Sequence, residues 1–272
     1  MQHGVIQADG RLYVDNSILA TEAVCQTHAS LRYGLGYDAP GVRVKMNVGT
    51  AIHAGMDVFF AGGSVPDVLA AFEKAYTAMG IGQAIAAMDE KQQKGLQAYT
   101  LANLKVIVGE YCTRNAMLPF DVDTTTIEQG FAVLLDREFN IWYTGTPDVG
   151  KVVMRGSGSV YTVDTKSTGS YLTAEYKRGY RTASQVTGYL WGLREVTGLP
   201  YVGAFINAIN IKKIPDSNRR CSDHGVQYSE CGLMHAEMEL FPVTRTPQQI
   251  EAWRVNAIAL ARRYRARLER VR

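Results

Sequence analysis

The chain has 272 residues, is 46% hydrophobic and 20% charged, and carries a net charge of +3. That composition describes an ordinary soluble globular protein with room for one substantial α/β domain, or such a core with a helical attachment, and the net charge is too small to name a partner. No stretch approaches the ~18 uninterrupted apolar residues of a membrane span. The first nine residues lack the basic and apolar regions of a signal peptide, and four scattered cysteines do not form a secreted disulfide framework, so the expectation is a reducing, cytoplasmic setting.

In chain order, residues 15–115 read as mostly helical. Asn16 or Ser17 caps a first helix running to the glycines at 34 and 36. Asn47 caps a second helix, through His53 to Phe60, which Gly62 and Gly63 end. A third follows Pro66, from Asp67 to Met79, and a fourth spans Asp89 to about Arg114. The texture then turns β-branched. Strands are expected over Thr124–Leu135, where Ile127 and Glu128 open the first of them, Phe139–Val153 and Ser159–Lys166. Arg155-Gly156-Ser157-Gly158-Ser159 supplies a hairpin turn between the last two. A helix over about Thr173–Val196, strands over Tyr201–Ile214 and Leu233–Val243, and a final helix opened by Thr246-Pro247 complete the reading. The whole is expected to be one domain over residues 1–272, with residues 124–272 as an α/β core.

Charge is unevenly spread. Between Trp253 and Arg272 stand seven arginines and one acid, Glu269. Further basic clusters are Lys177, Arg178 and Arg181, and Lys212, Lys213, Arg219 and Arg220. Such patches suit a polyanion, or simply a solvated helix face.

The chemistry concentrates in Gly145-Thr146-Pro147-Asp148-Val149-Gly150 and Val163-Asp164-Thr165-Lys166. Strand side chains alternate, so Asp164 and Lys166 share a face that Thr165 leaves. The hairpin returns Asp148 to their neighbourhood. Two carboxylates beside a lysine on a sheet edge make a hard-oxygen site for Mg²⁺ or Mn²⁺, which would polarise a phosphate and acidify a bound water. Alone, an acid and a lysine two apart also describe a salt-bridged surface strand. Gln185 and Tyr189, four apart, share one helix face, and Arg181 continues that stripe one turn earlier.

The ordered set His53, Glu128, Gly145-x-x-Asp148, Asp164-x-Lys166 and Gln185-x-x-x-Tyr189, with an early Cys25 and Tyr33, resembles the RecB-like branch of the PD-(D/E)XK nucleases. That branch includes CRISPR-adaptation and phage-type recombination exonucleases, and the likeness spans roughly residues 17 to 195. The resemblance implies a restriction-endonuclease-like core: a central mixed sheet flanked by helices, with a helical N-terminal section. It implies His53, Asp148 and Asp164 as metal ligands, with the Thr165 carbonyl as a further donor and Glu128 as an acid for a second ion or for ordering the site. Lys166 becomes the catalytic lysine. Gln185 and Tyr189 support the site and contact the nucleic-acid strand, and Arg178 and Arg181 reach phosphate. The implied activity is hydrolysis of DNA from ends in a bacterial or phage-infected cell. An endonuclease or branched-DNA resolvase on the same core, and a non-catalytic nucleic-acid-binding relative, are the alternatives.

Some relatives hold a four-iron cluster on one early cysteine and three clustered late ones. Here Cys25 fits the early place, but Cys112, Cys221 and Cys231 lack the tight late spacing, so no iron–sulfur cluster is expected. Cys221, His224, Cys231 and His235 are zinc-capable, yet their spacing is loose for a zinc module, and ordinary thiols are expected.

Overall fold

The computed structural model describes residues 3–38, 41–212 and 236–271. Helices fill the first half. Asp15, rather than Asn16 or Ser17, caps α1 (Asn16–Val24), accepting the Ile18 N–H at 2.9 Å. The chain continues through a short α2 (Gln26–Ala29) and a π-turn over Ser30–Gly34. Helix α3 (Val44–Phe60) starts three residues before Asn47, with Arg43 at the N-cap. Ser64 and Asp67 form a reciprocal cap on α4 (Val65–Ala78).

The single helix expected over Asp89–Arg114 is broken. Asp89 and Gln92 cap a short α6 (Glu90–Gly95), preceded by α5 (Ile81–Ala86), and Thr100 then opens α7 (Leu101–Arg114). Gly95 and the extended backbone at Thr100 are the points of rupture, because glycine gains least from staying helical.

Among the described residues, eight strands form two mixed sheets. The smaller has the order β1-β4-β3, with β1 (Leu12–Val14) parallel to β4 (Ile141–Gly145), and β4 antiparallel to β3 (Phe131–Asp136). The larger has the order β2-β5-β6-β7-β8: β2 (Phe120–Val122), β5 (Val149–Met154), β6 (Val160–Thr168), β7 (Gly203–Asn210) and β8 (Met238–Thr244). Only β6 and β7 run parallel within it. Thus Phe139–Val153 is not one strand. Thr146 and Pro147 interrupt it, and its halves join different sheets, since proline cannot donate to a ladder and constrains the residue before it. The expected start at Thr124 is also too early: Thr124–Thr126 is a 3₁₀ turn and pairing in β3 begins at Phe131.

Helices cover both faces of the larger sheet. Val149, Val152, Val163, Phe205 and Ile209 pack under α3, α4 and α7. On the other face Ala204, Ile206 and Ala208 meet α9 (Ser184–Thr197) and α10 (Pro247–Val271), which also bury Leu135, Ile141 and Tyr143 of the smaller sheet. Helix α9 is therefore the shared layer between the sheets. Its approach depends on glycine: a Cβ at Gly188 would fall 2.1 Å from the Tyr143 hydroxyl, and one at Gly192 2.1 Å from Phe131. The mixed α/β class expected from the sequence is the one observed.

Candidate metal and nucleic-acid site

The site forms where β5 parts from β6. The two strands pair from Val149 opposite Val163, so beyond that point β5 offers no further rung. Asp148 takes its place: its Oδ2 accepts the backbone N–H of Thr165. Thr165 is fully buried and its hydroxyl accepts from Asn207 Nδ2 at 3.2 Å, which leaves Asp164 and Lys166 on the opposite face. The Lys166 ammonium lies 2.8 Å from the Asp164 carboxylate.

The acids were expected on a sheet edge. They lie instead on and beside the middle strand of five, and Asp164 is only 2% exposed. Burial pushes the Asp164 carboxyl above the ordinary range. Lys166 pulls it down, Asp148 adds repulsion, and the net shift is upward.

Across the cleft, α3 presents His53, whose Nδ1 is 3.0 Å from Asp148 Oδ1. Burial disfavours the charged imidazole, but the Asp148 hydrogen bond and charge outweigh it and raise the His53 pKa. Glu128 arrives by a different route from that expected. It occupies a turn before β3 in left-handed backbone, φ 51°, and its N–H donates to the Asp148 carbonyl at 2.9 Å. Such a conformation costs a non-glycine residue ~1 kcal/mol or more. One ligand atom each from His53, Glu128 and Asp148 lies within 4.8 Å of the others.

Asp57 was missed in the sequence. It stands one turn beyond His53 on α3, hence on the same face. Burial, then repulsion from Asp148, pushes its carboxyl up to about 6. Loss of hydration, then repulsion from Asp57 and Asp148, pushes Glu128 up to about 7, although Glu128 keeps an exposed edge. Only the four-residue spacing from His53 pointed to Asp57, and that spacing is common on any helix.

These groups fit a hard divalent cation. The donors are carboxylates and one imidazole, they repel one another without an ion, and the buried oxygen Asp57 Oδ1 lacks a hydrogen-bond donor. His53, Asp148 and Glu128 are the residues that could hold such an ion most directly, with Asp164 and Lys166 alongside.

Tyr189 is 7% exposed and packs edge-on against Phe131. Its hydroxyl donates to the Thr146 carbonyl at 3.1 Å and accepts from Gln185 Nε2 at 2.9 Å. It therefore braces the turn that delivers Asp148. Arg181 does not continue this stripe, because the expected Thr173–Val196 helix is broken into α8 (Ala174–Gly179), a 3₁₀ turn over Tyr180–Thr182, and α9. Arg178 and Arg181 are exposed and line a separate cleft with Lys177 and Arg245.

The arginines of α10 are largely consumed internally. Arg262 pairs with Asp136 and Glu138, Arg254 with Glu251, Arg265 with Glu269, and Arg267 with the buried Glu22. That stretch is a structural seam more than a free basic patch. Cys112 is buried in the helical layer with its thiol pushed up to about 11, and Cys25 is exposed. Cys221, His224, Cys231 and His235, and the basic residues Lys213, Arg219 and Arg220, lie outside the described residues.

No protein-family model and no curated protein matches the chain. Its fold is similar to a crystal structure described as a putative exonuclease from Eubacterium rectale, with a TM-score of 0.53 and 13% identity over 95% of this chain and 83% of that one. At that identity the likeness is one of fold. Among the described residues no helix is long and apolar enough to cross a membrane.

Proposed function

We propose that the protein is a metal-dependent nuclease of the PD-(D/E)XK superfamily, in its RecB-like branch, and that it hydrolyses DNA phosphodiester bonds from ends. The observation that carries this reading is the meeting of His53, Glu128 and Asp148, from three separate elements, beside the Asp164–Lys166 pair. The fold shared with a protein described as an exonuclease supports it. We take residues 1–272 as one domain, because the helical section supplies His53 and the α/β section the remaining groups.

In this reading Asp148, Asp164, His53, Glu128 and the Thr165 carbonyl would hold Mg²⁺ or Mn²⁺. When bound, the ion polarises the phosphate and makes an adjacent water more acidic. Water oxygen would bond to phosphorus as the P–O bond to the leaving sugar oxygen breaks; one water proton passes to solvent and the departing oxygen takes a proton from solvent, leaving a phosphomonoester and a sugar hydroxyl. The Lys166 ammonium donates to the water or to the crowded phosphate oxygens, offsetting charge as it develops. Asp164 keeps that ammonium in place. Tyr189 and Gln185 hold the Thr146–Asp148 turn, and Gln185, Arg178 and Arg181 contact the strand.

Linear and circular DNA incubated with Mn²⁺ or Mg²⁺ test the reading. Linear DNA should be degraded and intact circles spared, and EDTA should abolish the activity until excess metal is restored. Degradation in metal-free buffer would remove the mechanism, and nicking of closed circles would make the enzyme an endonuclease.

A further inference from the structure

The register across the larger sheet links the metal site to a second feature. Asp164 pairs with Ile206 and Ile206 with Phe241; Lys166 pairs with Ala208 and Ala208 with Glu239. Paired residues share a face, so Phe241 and Glu239 stand in the same two rows as Asp164 and Lys166, two strands away, or ~10 Å. At that place α8, the turn after it and β8 enclose a cleft of about 920 Å³, lined by Lys177, Arg178, Arg181, Glu239, Phe241 and Arg245 among others.

The cleft is firmly built. Arg245 is 7% exposed, and its guanidinium donates to the Thr187 hydroxyl at 2.8 Å and to the Tyr180 carbonyl at 2.7 Å, tying the turn that bears Arg181 to the end of β8. Lys177 neutralises the one lining acid, Glu239, at 2.8 Å. Arg178 and Arg181 are exposed and have no acidic partner among the described residues. The half-buried ring of Phe241 is braced edge-on by Tyr180, centroids 5.7 Å apart.

Exposed cations flanking a fixed aromatic ring form the combination that holds single-stranded nucleic acid: phosphates meet the guanidinium groups and a base stacks on the ring. Within a duplex, away from its ends, base faces are covered by stacked neighbours and cannot reach the ring without unstacking. We propose that this cleft binds single-stranded DNA, with Arg178 and Arg181 on phosphates and Phe241 under a base, and so feeds one strand along the sheet to Asp164 and Lys166. The feeding role rests on the nuclease reading; the binding does not.

Binding is therefore measured apart from cleavage, by fluorescence anisotropy of a labelled oligothymidylate and of a hairpin duplex of equal nucleotide count, in Ca²⁺. The single strand should bind at least ~10-fold more tightly. Phe241→Ala should weaken single-strand binding by ~5-fold or more, the range for one lost stacking partner, and Phe241→Trp should restore it. Arg178→Ala combined with Arg181→Ala should weaken it further and flatten its salt dependence. Thermal melting of each variant separates misfolding from lost contact. Equal affinity for both probes, or a folded Phe241→Ala protein that binds like wild type, would overturn the proposal. Preferred single-strand binding without Mn²⁺-dependent cleavage would sink the nuclease reading and leave this one standing; cleavage without any single-strand preference would do the reverse.

Discussion

Asp57 and Glu128 hold protons at pH values where free carboxyls, with pKa near 4, have lost them. Between about pH 4.5 and 7 the cation-free fold binds more protons than the unfolded chain, so its stability falls as pH rises through that window. His53 acts in the same sense: the stability from its Asp148 contact is full below the usual histidine pKa and fades as pH rises past its raised value. Asp123 and Asp136, held below the usual range, lose their contribution only as pH falls below the window. A bound Mg²⁺ or Mn²⁺ replaces the protons, so the rise in Tm on adding Mn²⁺ should grow from pH 5.5 to 7.5. Asp57→Asn with Glu128→Gln should shrink that rise and flatten the cation-free profile. A Mn²⁺ increment independent of pH would contradict this account of the site. At this scale strand alternation and a hairpin turn brought Asp148, Asp164 and Lys166 together in the sequence, whereas His53, on a distant helix, entered only through the resemblance. Asp57 stayed hidden because an acid one helical turn from a histidine looks like any solvated residue. Glu128 was noticed but misplaced, because nothing local announces left-handed backbone at a glutamate.

Helix α9 shows how an element rather than a side chain sets the site. It touches both sheets, and it carries Gln185 and Tyr189 to the Asp148 turn only because Gly188 and Gly192 let Tyr143 and Phe131 lie against its backbone. Gly188→Ala should therefore cost ~1–3 kcal/mol or more through overpacking, read as a lower denaturation midpoint. The Tyr143 hydroxyl is buried with no hydrogen-bond partner, so Tyr143→Phe should be nearly neutral and should recover part of the Gly188→Ala loss. An unchanged midpoint for Gly188→Ala would mean that α9 does not sit this close. Elements with strong end signals were readable: the Gly156-Ser157-Gly158 turn and the Thr246–Gln249 cap of α10, while the Ser64 cap of α4 was passed over for a start at Asp67. The breaks at Gly95, at Thr146-Pro147 and at Tyr180–Thr182 were not, because apolar periodicity runs across them while tertiary packing decides which half goes where. The three-residue strands β1 and β2 are too short to show any alternation.

Over the whole molecule, much of the charge of the last helix is spent on closure. The α10 arginines bind acids of α1 and of the β3–β4 turn, and Tyr264 donates to the Gly4 carbonyl at 2.7 Å, so the last helix fastens the first residues to the smaller sheet. Among the described residues, Lys166 and the Arg178–Arg181 cleft lie on one face of the larger sheet. The reading of that face as catalytic turns on Lys166, since a binding protein has no need of an ammonium locked against a buried acid. Affinity in Ca²⁺ and single-turnover rate in Mn²⁺, measured for wild type and Lys166→Ala on one labelled oligonucleotide, decide the matter. A group that acts in the transition state should lower the rate by at least ~100-fold when removed, while affinity changes by less than ~10-fold. Loss of affinity and rate in equal proportion would make Lys166 a phosphate anchor and contradict the catalytic assignment.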